Sequence, residues 1–162
     1  AMAYPPCHSY RQKSHISANK KRKRSIIDGK VLVARRRGAA NTFLPGGHVE
    51  FGESMRKTLI RELFEELRQE CEAGRYLGAI EHVFAEDGRT QHEINHFFIA
   101  VSSALRQPSS IESFEEGLEF FWQPVDRLSE VNLQPQPLVQ LLEDAQSRPG
   151  GAWWASTLGQ RE

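Results

Sequence analysis

Five ionisable residues and one glycine stand close enough in the chain to do chemistry together: Gly47, Glu53, Arg61, Glu62, Glu65 and Glu66. The stretch from about Ser54 to Leu67 predicts a helix. At about 100° per residue, Glu62, Glu65 and Glu66 fall on one face of it. Ile60, Leu63, Phe64 and Leu67 cluster on roughly the opposite face, the expected core side. Three carboxylates on one helical face repel each other, and like charges at i,i+4 are mildly destabilising. A divalent cation offsets that repulsion. Mg²⁺ is hard, prefers oxygen, and takes a couple of carboxylates together with waters and substrate phosphates. Gly46-Gly47 lies just upstream, and glycine lets the backbone approach a ligand closely, so the Gly47 carbonyl is a candidate for the ion's shell. Glu53 precedes Arg61 by eight residues, just over two turns, and is spaced to pair with it. Near the helix N-terminus its charge is also favoured. This set suits attack by water on a phosphoryl group. The ion neutralises phosphate charge and lowers the pKa of a bound water, while a carboxylate accepts the proton.

Glutamates alone would read as a solvated acidic face. The full pattern is more demanding: glycine, five residues, glutamate, seven residues, then Arg-Glu-apolar-x-Glu-Glu. At average residue frequencies its chance at a given start is on the order of 10⁻⁸.

The segment resembles the Nudix box of MutT-like hydrolases. Leu44-Pro45-Gly46-Gly47-His48-Val49-Glu50-Phe51-Gly52-Glu53-Ser54 is similar to the opening of the box, and Arg61-Glu62-Leu63-Phe64-Glu65-Glu66 to its core. The likeness extends more loosely over about residues 16–145. It implies an α/β fold, an α/β/α sandwich with a mixed central sheet. It also implies hydrolysis of the diphosphate linkage in a nucleoside diphosphate derivative (a nucleoside diphosphate sugar, ADP-ribose or a (d)NTP) with Mg²⁺, Mn²⁺ being the alternative. By the same resemblance Glu62, Glu65 and Glu66 are metal ligands, with Glu62 or a later glutamate as base. The Gly47 carbonyl is an accessory ligand, and Arg61 with Glu53 braces the loop against the helix. A further acid from a distant loop is expected among Glu112, Glu115 and Glu116.

Two departures stand out. In the box, residues 47–69, Arg68 and Gln69 occupy the places of a glycine and an apolar residue. The glycine of the pattern commonly ends the helix with positive φ, which is costly for arginine. Either Arg68 is strained or the helix runs on toward Ala73-Gly74. The second departure is Lys20-Lys21-Arg22-Lys23-Arg24, where relatives have an alternating apolar strand. Consecutive cations cannot fill inward strand positions cheaply, which predicts a first strand that is short, displaced or exposed. The subfamily markers downstream of the box, a Pro for ADP-ribose and a Tyr for dinucleoside polyphosphates, are both missing from Phe84 to Gly88.

The elements that must position these residues are legible in outline. Ile26-Ile27, Asp28-Gly29 and Val31 to Ala34 read as a hairpin, since Asp-Gly supplies the positive φ of a tight turn. Phe43-Leu44 reads as a short strand ended by Pro45. A second hairpin is predicted about Asp87-Gly88, with arms Leu77 to Phe84 and His92 to Val101. Glu93, Asn95 and Phe97 then share one face of its second arm and His96 the other. Residues 102–117 read as loop, Leu118 to Trp122 as a strand, Asp126 to Glu130 as a helical turn. Leu138, Leu141, Leu142 and Ala145 predict a final helix. Phe43, His48, Arg89 and Asn95 are the substrate-binding candidates, with Phe84, His92 and Phe97 as further pocket residues. For the phenylalanines core packing is the competing role. The domain is expected over residues 16–147, after a loose arm at 1–15 and before a tail at 148–162, where Trp153-Trp154 caps the core or a partner.

At 162 residues, 39% apolar and 26% charged, the chain has the makeup of one globular domain. No apolar run approaches a membrane span, and the N-terminus lacks a signal-peptide core. Ala1-Met2-Ala3 reads as an expression remnant around a start Met. Cys7 and Cys71 are too few and too far apart for a disulfide framework or a zinc site, and a cytoplasmic location is expected. The zero net charge hides an asymmetry: residues 1–37 hold eleven Lys or Arg and one acid (+10), and the rest ten and twenty (−10). A solvated basic arm balancing an acidic body is favoured over a nucleic-acid contact. The expected partner is a small nucleotide, with no membrane, in a monomer or homodimer. Two alternatives to the nucleotide hydrolase remain. An RNA 5′-end hydrolase would bind in a steeply salt-dependent way. A non-catalytic nucleotide-binding relative would bind without turnover.

Overall fold

The computed structural model describes residues 10–18, 29–86, 88–102, 111–147 and 150–158. In chain order its elements are β1 (Tyr10–Ala18), β2 (Lys30–Arg36), β3 (Gly46–His48), α1 (Met55–Leu67), β4 (Glu72–Glu86) and β5 (Arg89–Val101). There follow β6 (Leu118–Pro124), a 3-10 helix (Val125–Val131), α2 (Pro137–Ser147) and β7 (Trp153–Ser156).

The larger sheet runs β3-β1-β5-β4-β7 and is mixed. β1 lies parallel to β5 and β7 to β4, while β3–β1 and β4–β5 are antiparallel. β2 and β6 form a second, antiparallel pair. Side chains alternate across each strand, and that alternation sorts the core into two parts. From β5, Phe97 packs with Ile80, Leu138 and Leu142 on the α2 side. Phe98 and Ala100 face the other way, toward Leu59, Leu63 and Leu67 of α1. β2 serves both parts: Val31 and Val33 join the first, Leu32 and Ala34 the second. A strand buried on both faces needs a continuous apolar run, which Val31-Leu32-Val33-Ala34 supplies. The outcome is the expected α/β/α sandwich with a mixed sheet.

α1 buries Leu59, Leu63 and Leu67, each at most 1% exposed. Together those side chains contribute roughly 5–9 kcal/mol as an upper estimate. That outweighs the few tenths of a kcal/mol lost per like-charge pair, so the packing can hold the glutamates in place. Leu63 and Leu67 are buried as the sequence predicts, but the rest of the stripe is not. Ile60 and Phe64 are 38% and 46% exposed, whereas Thr58 and Glu66 are buried. The core therefore sits one step around the helix from its expected side.

Several expected elements also differ. Tyr10–Ala18 forms β1, paired along its length with β5, where a loose arm was expected. The first strand is thus displaced upstream of the basic run, and Lys20 to Arg24 lies outside the described residues. Gly29 has the predicted positive φ of 77°. β2 nevertheless takes β6 as its partner, and Ile26-Ile27 is outside the described residues. Phe43 makes only an isolated bridge to Ala34. In the expected tail, Trp153–Ser156 adds β7 alongside β4. Gly78 makes room for it: a Cβ there would collide with the backbone and ring of Trp153. The β4–β5 hairpin, the β6 strand, the turn after it and α2 stand where the sequence places them.

Candidate active site

The loop before α1 and the helix itself are locked by one guanidinium. Arg61 donates from Nε to Glu53 Oε1 at 3.1 Å and from Nη2 to Glu53 Oε2 at 3.0 Å, a two-pronged pairing across the helix entry. Nη2 also donates to the His48 carbonyl at 3.2 Å. Nη1 reaches Glu62 Oε1 at 3.0 Å and Glu65 Oε2 at 3.2 Å. Thr58 Oγ1 adds a 2.7 Å hydrogen bond to Glu53. The Arg61 bond, more than the Thr58 bond, pulls the Glu53 carboxyl down to about 2 against the effect of burial. Arg61 is raised in turn, first by Glu53. Ser54 caps α1, accepting the Lys57 N–H. The brace expected of Glu53 and Arg61 is present, and it gathers two of the three helical glutamates as well.

Glu66 is the unusual member. It is 2% exposed, and its Oε2 is buried without a hydrogen-bond partner. Burial, then the charges of Glu115 and Glu62, push its carboxyl up to about 9, although the Gly46 backbone donates a hydrogen bond to it. Glu62 is raised too, by burial first, with Arg61 opposing and Glu65 and Glu115 adding repulsion. Gly47 packs so closely on Glu62 that a Cβ would overlap its carboxyl group. Glu65 is drawn away: its side chain is 55% exposed and bound to Arg61.

Of the three loop acids, only Glu115 lines the same cleft as Glu62 and Glu66. The Phe114 N–H donates to the Glu66 carbonyl at 2.8 Å, which ties that loop to the end of α1. Glu112 and Glu116 are exposed and line none of it.

The cleft holds about 690 Å³ and continues from the carboxylates toward β4 and β5. Phe43, His48, Phe84 and Asn95 line it as expected. Arg89 does not: it sits exposed at the start of β5, at the hairpin tip. His92 is absent from the lining, with Nε2 2.9 Å from Glu81 Oε1, and Phe97 is core. Sequence reasoning missed Glu93, buried on the same β5 face as Asn95, although the two-residue period pointed to it. It also missed Asn132 and Gln134, for which the sequence carries no signal. Their backbone bonds to Thr42 bring them to the rim.

A hard divalent cation fits this set. Glu66 has an unsatisfied buried oxygen, two further carboxylates face the same space, and the glycine backbone lies against one of them. Among the described residues, no three acidic, His or Cys side chains already stand at ligand spacing. Arg61 holds Glu62 and Glu65, and Glu115 arrives from a separate loop.

A family model described as NUDIX domain matches residues 24–148. The MutT4 protein of Mycobacterium tuberculosis (strain CDC 1551 / Oshkosh) is 39% identical over 64 residues, which are 40% of this chain and 26% of that protein. The chain thus spans about a quarter of that relative's length. Among solved structures, the MutT protein from Methanosarcina mazei Go1 has a TM-score of 0.66 at 17% identity, covering 89% of this chain and 98% of its own. The E. coli ORF135 protein has a TM-score of 0.59 at 23% identity, covering 89% and 96%. No helix among the described residues is long and apolar enough to cross a membrane.

Proposed function

The chain belongs to the Nudix hydrolase family, and from that premise we propose that it is a Mg²⁺-dependent pyrophosphohydrolase cleaving the diphosphate linkage of a nucleoside diphosphate derivative. The observation that carries this reading is the Glu66 carboxyl, buried with one oxygen unsatisfied and facing Glu62 and Glu115. A buried carboxylate in that state is costly unless something positive meets it. Glu62, Glu66 and Glu115 with the Gly47 carbonyl would hold the ion, Mn²⁺ serving as its alternative. When bound, the ion supplies charge neutralisation at phosphate oxygens and a more acidic water.

The chain's own residues do the rest. Glu62 is half-buried and raised above the usual carboxylate range, which suits an acceptor for the proton of the attacking water. Arg61 keeps Glu62 pointed at the cleft, and Glu53 keeps Arg61 in place. Glu65 holds Arg61 from outside, so its part in catalysis is positional in this state. Phe43 and Phe84 offer flat apolar surface to a base, and His48 and Asn95 offer polar contacts to base or sugar.

The test is a panel of nucleoside diphosphate sugars, ADP-ribose and (d)NTPs with Mg²⁺, with formation of the nucleoside monophosphate followed. Turnover is expected on at least one class. Glu66→Gln should lower it by at least about a hundredfold. Glu65→Gln should cost only about tenfold, the scale of one charge-assisted bond. Nucleotide binding without turnover by the folded chain would sink the enzyme reading in favour of a binding relative. Unchanged turnover in Glu66→Gln would sink the metal assignment.

A further inference from the structure

Arg68 stands where the family pattern has glycine, and it takes the glycine conformation, with φ 51° and ψ 34°. Its N–H closes α1 on the Phe64 carbonyl at 2.9 Å. An arginine with positive φ is strained, and a glycine would adopt the same backbone without that cost. The side chain uses the position. Its guanidinium carbon lies 5.4 Å from the Phe64 ring centroid and 5.9 Å from that of Phe114. Phe64 is on the outer face of α1, and Phe114 is in the loop that carries Glu115. Both rings are about half exposed, so neither is held by the core. The Phe114 N–H is the group that caps the Glu66 carbonyl. Helix end, arginine and acid-bearing loop therefore form one contact chain.

We propose that Arg68 is a positioning residue that clamps the Phe114 loop to the end of α1 through its two aromatic contacts and so presents Glu115 to the cleft. The clamp stands on geometry alone, and its consequence for ion binding rests on the function proposed above. A glycine at this place would remove the side-chain tie and leave the Phe114 N–H bond to the Glu66 carbonyl to hold this stretch to the end of α1. The arginine exchanges backbone ease for a tether that the glycine cannot make.

The experiment compares wild type with Arg68→Asn and Arg68→Gly. Asparagine tolerates the left-handed conformation but lacks the guanidinium, so it separates the side chain's role from glycine's extra freedom. Two quantities are read: hydrogen exchange of the Phe114 amide without divalent ion, and Mn²⁺ affinity of the nucleotide-free protein by electron paramagnetic resonance. Both variants should exchange Phe114 about three to ten times faster, the range expected for losing modest cation–π contacts, and weaken Mn²⁺ binding by a similar factor. Their Tm should equal or exceed wild type, since the strain is relieved. Arg68→Lys should fall between. Wild-type exchange at Phe114 in Arg68→Asn would overturn the clamp. Faster exchange with unchanged Mn²⁺ affinity would overturn the link to Glu115. A wild type that binds no Mn²⁺ would count against the proposed function, and the exchange result would still decide the clamp.

Discussion

At the scale of single residues, the main question is how a carboxyl as buried as Glu66 is tolerated. Without an ion the answer is a proton. Its folded pKa of about 9 lies above the unfolded value of 4.5. Between those values the folded chain keeps a proton that the unfolded chain has released. Its stabilising contribution is therefore full below about 4.5 and is lost as pH rises through about 9. The ion-free protein should show a Tm that declines from pH 5 toward pH 9. Glu66→Gln, with no proton to lose, should flatten that decline. Equal slopes in the two proteins would remove Glu66 as its cause. Divalent ion should reduce the decline as well, because binding to the carboxylate displaces the proton.

At the scale of elements, the site is a loop fastened to a helix, and Gly47 is where they touch. Its φ is not in the left-handed region, so alanine meets no backbone penalty there. What alanine meets is the carboxyl end of Glu62, a flexible group able to move aside. Gly47→Ala should thus cost only about 1 kcal/mol in urea denaturation. Turnover should fall by about a hundredfold, the scale associated with a misplacement of about 1 Å at a catalytic group. Full activity in this variant would show that Glu62 need not stay where Gly47 permits it. The helix also shows why its sequence misled. Ile60 and Phe64 complete an apolar stripe on paper, yet Thr58 and Glu66 are inside and those two are out. Hydrophobicity is a preference of each side chain; which stripe faces inward is settled by what packs on it. The loop on one side and β5 on the other claim the Glu66 and Leu63 faces, leaving Phe64 for Arg68.

At the scale of the whole molecule, the chain's last described strand belongs to the core. Trp153 sits against Gly78, with its ring 5.2 Å from that of Phe97. Phe97 lies one β5 side-chain step from the cleft residue Asn95. Trp153→Ala should destabilise by about 3 kcal/mol, the low end for a large aromatic because the residue is only partly buried. Equilibrium denaturation would check it, and a change within about 0.5 kcal/mol would return β7 to the status of a tail. Composition gave little notice of this strand or of β1. Four residues after a Gly-Gly break, and a polar stretch of nine, carry weak strand patterns of their own. Each is a strand because an existing edge offers it a full set of backbone partners.

The sequence settles the local part of this protein. The spacing from Gly47 through Glu66, the helix from its Ser54 cap, the Glu53–Arg61 pairing and the β4–β5 hairpin all follow from residues near one another in the chain. Short-range geometry leaves such pairs few alternatives. It could not choose among Glu112, Glu115 and Glu116, or seat Arg89, or bring Asn132 to the rim. Those placements depend on which distant backbone groups bond, as Phe114 does to Glu66 and Thr42 to Asn132 and Gln134. It also read Arg68 only as a missing glycine. The positive φ was foreseeable from the pattern. The two rings that receive the guanidinium come from a helix and a loop some fifty residues apart, and only folding sets them side by side.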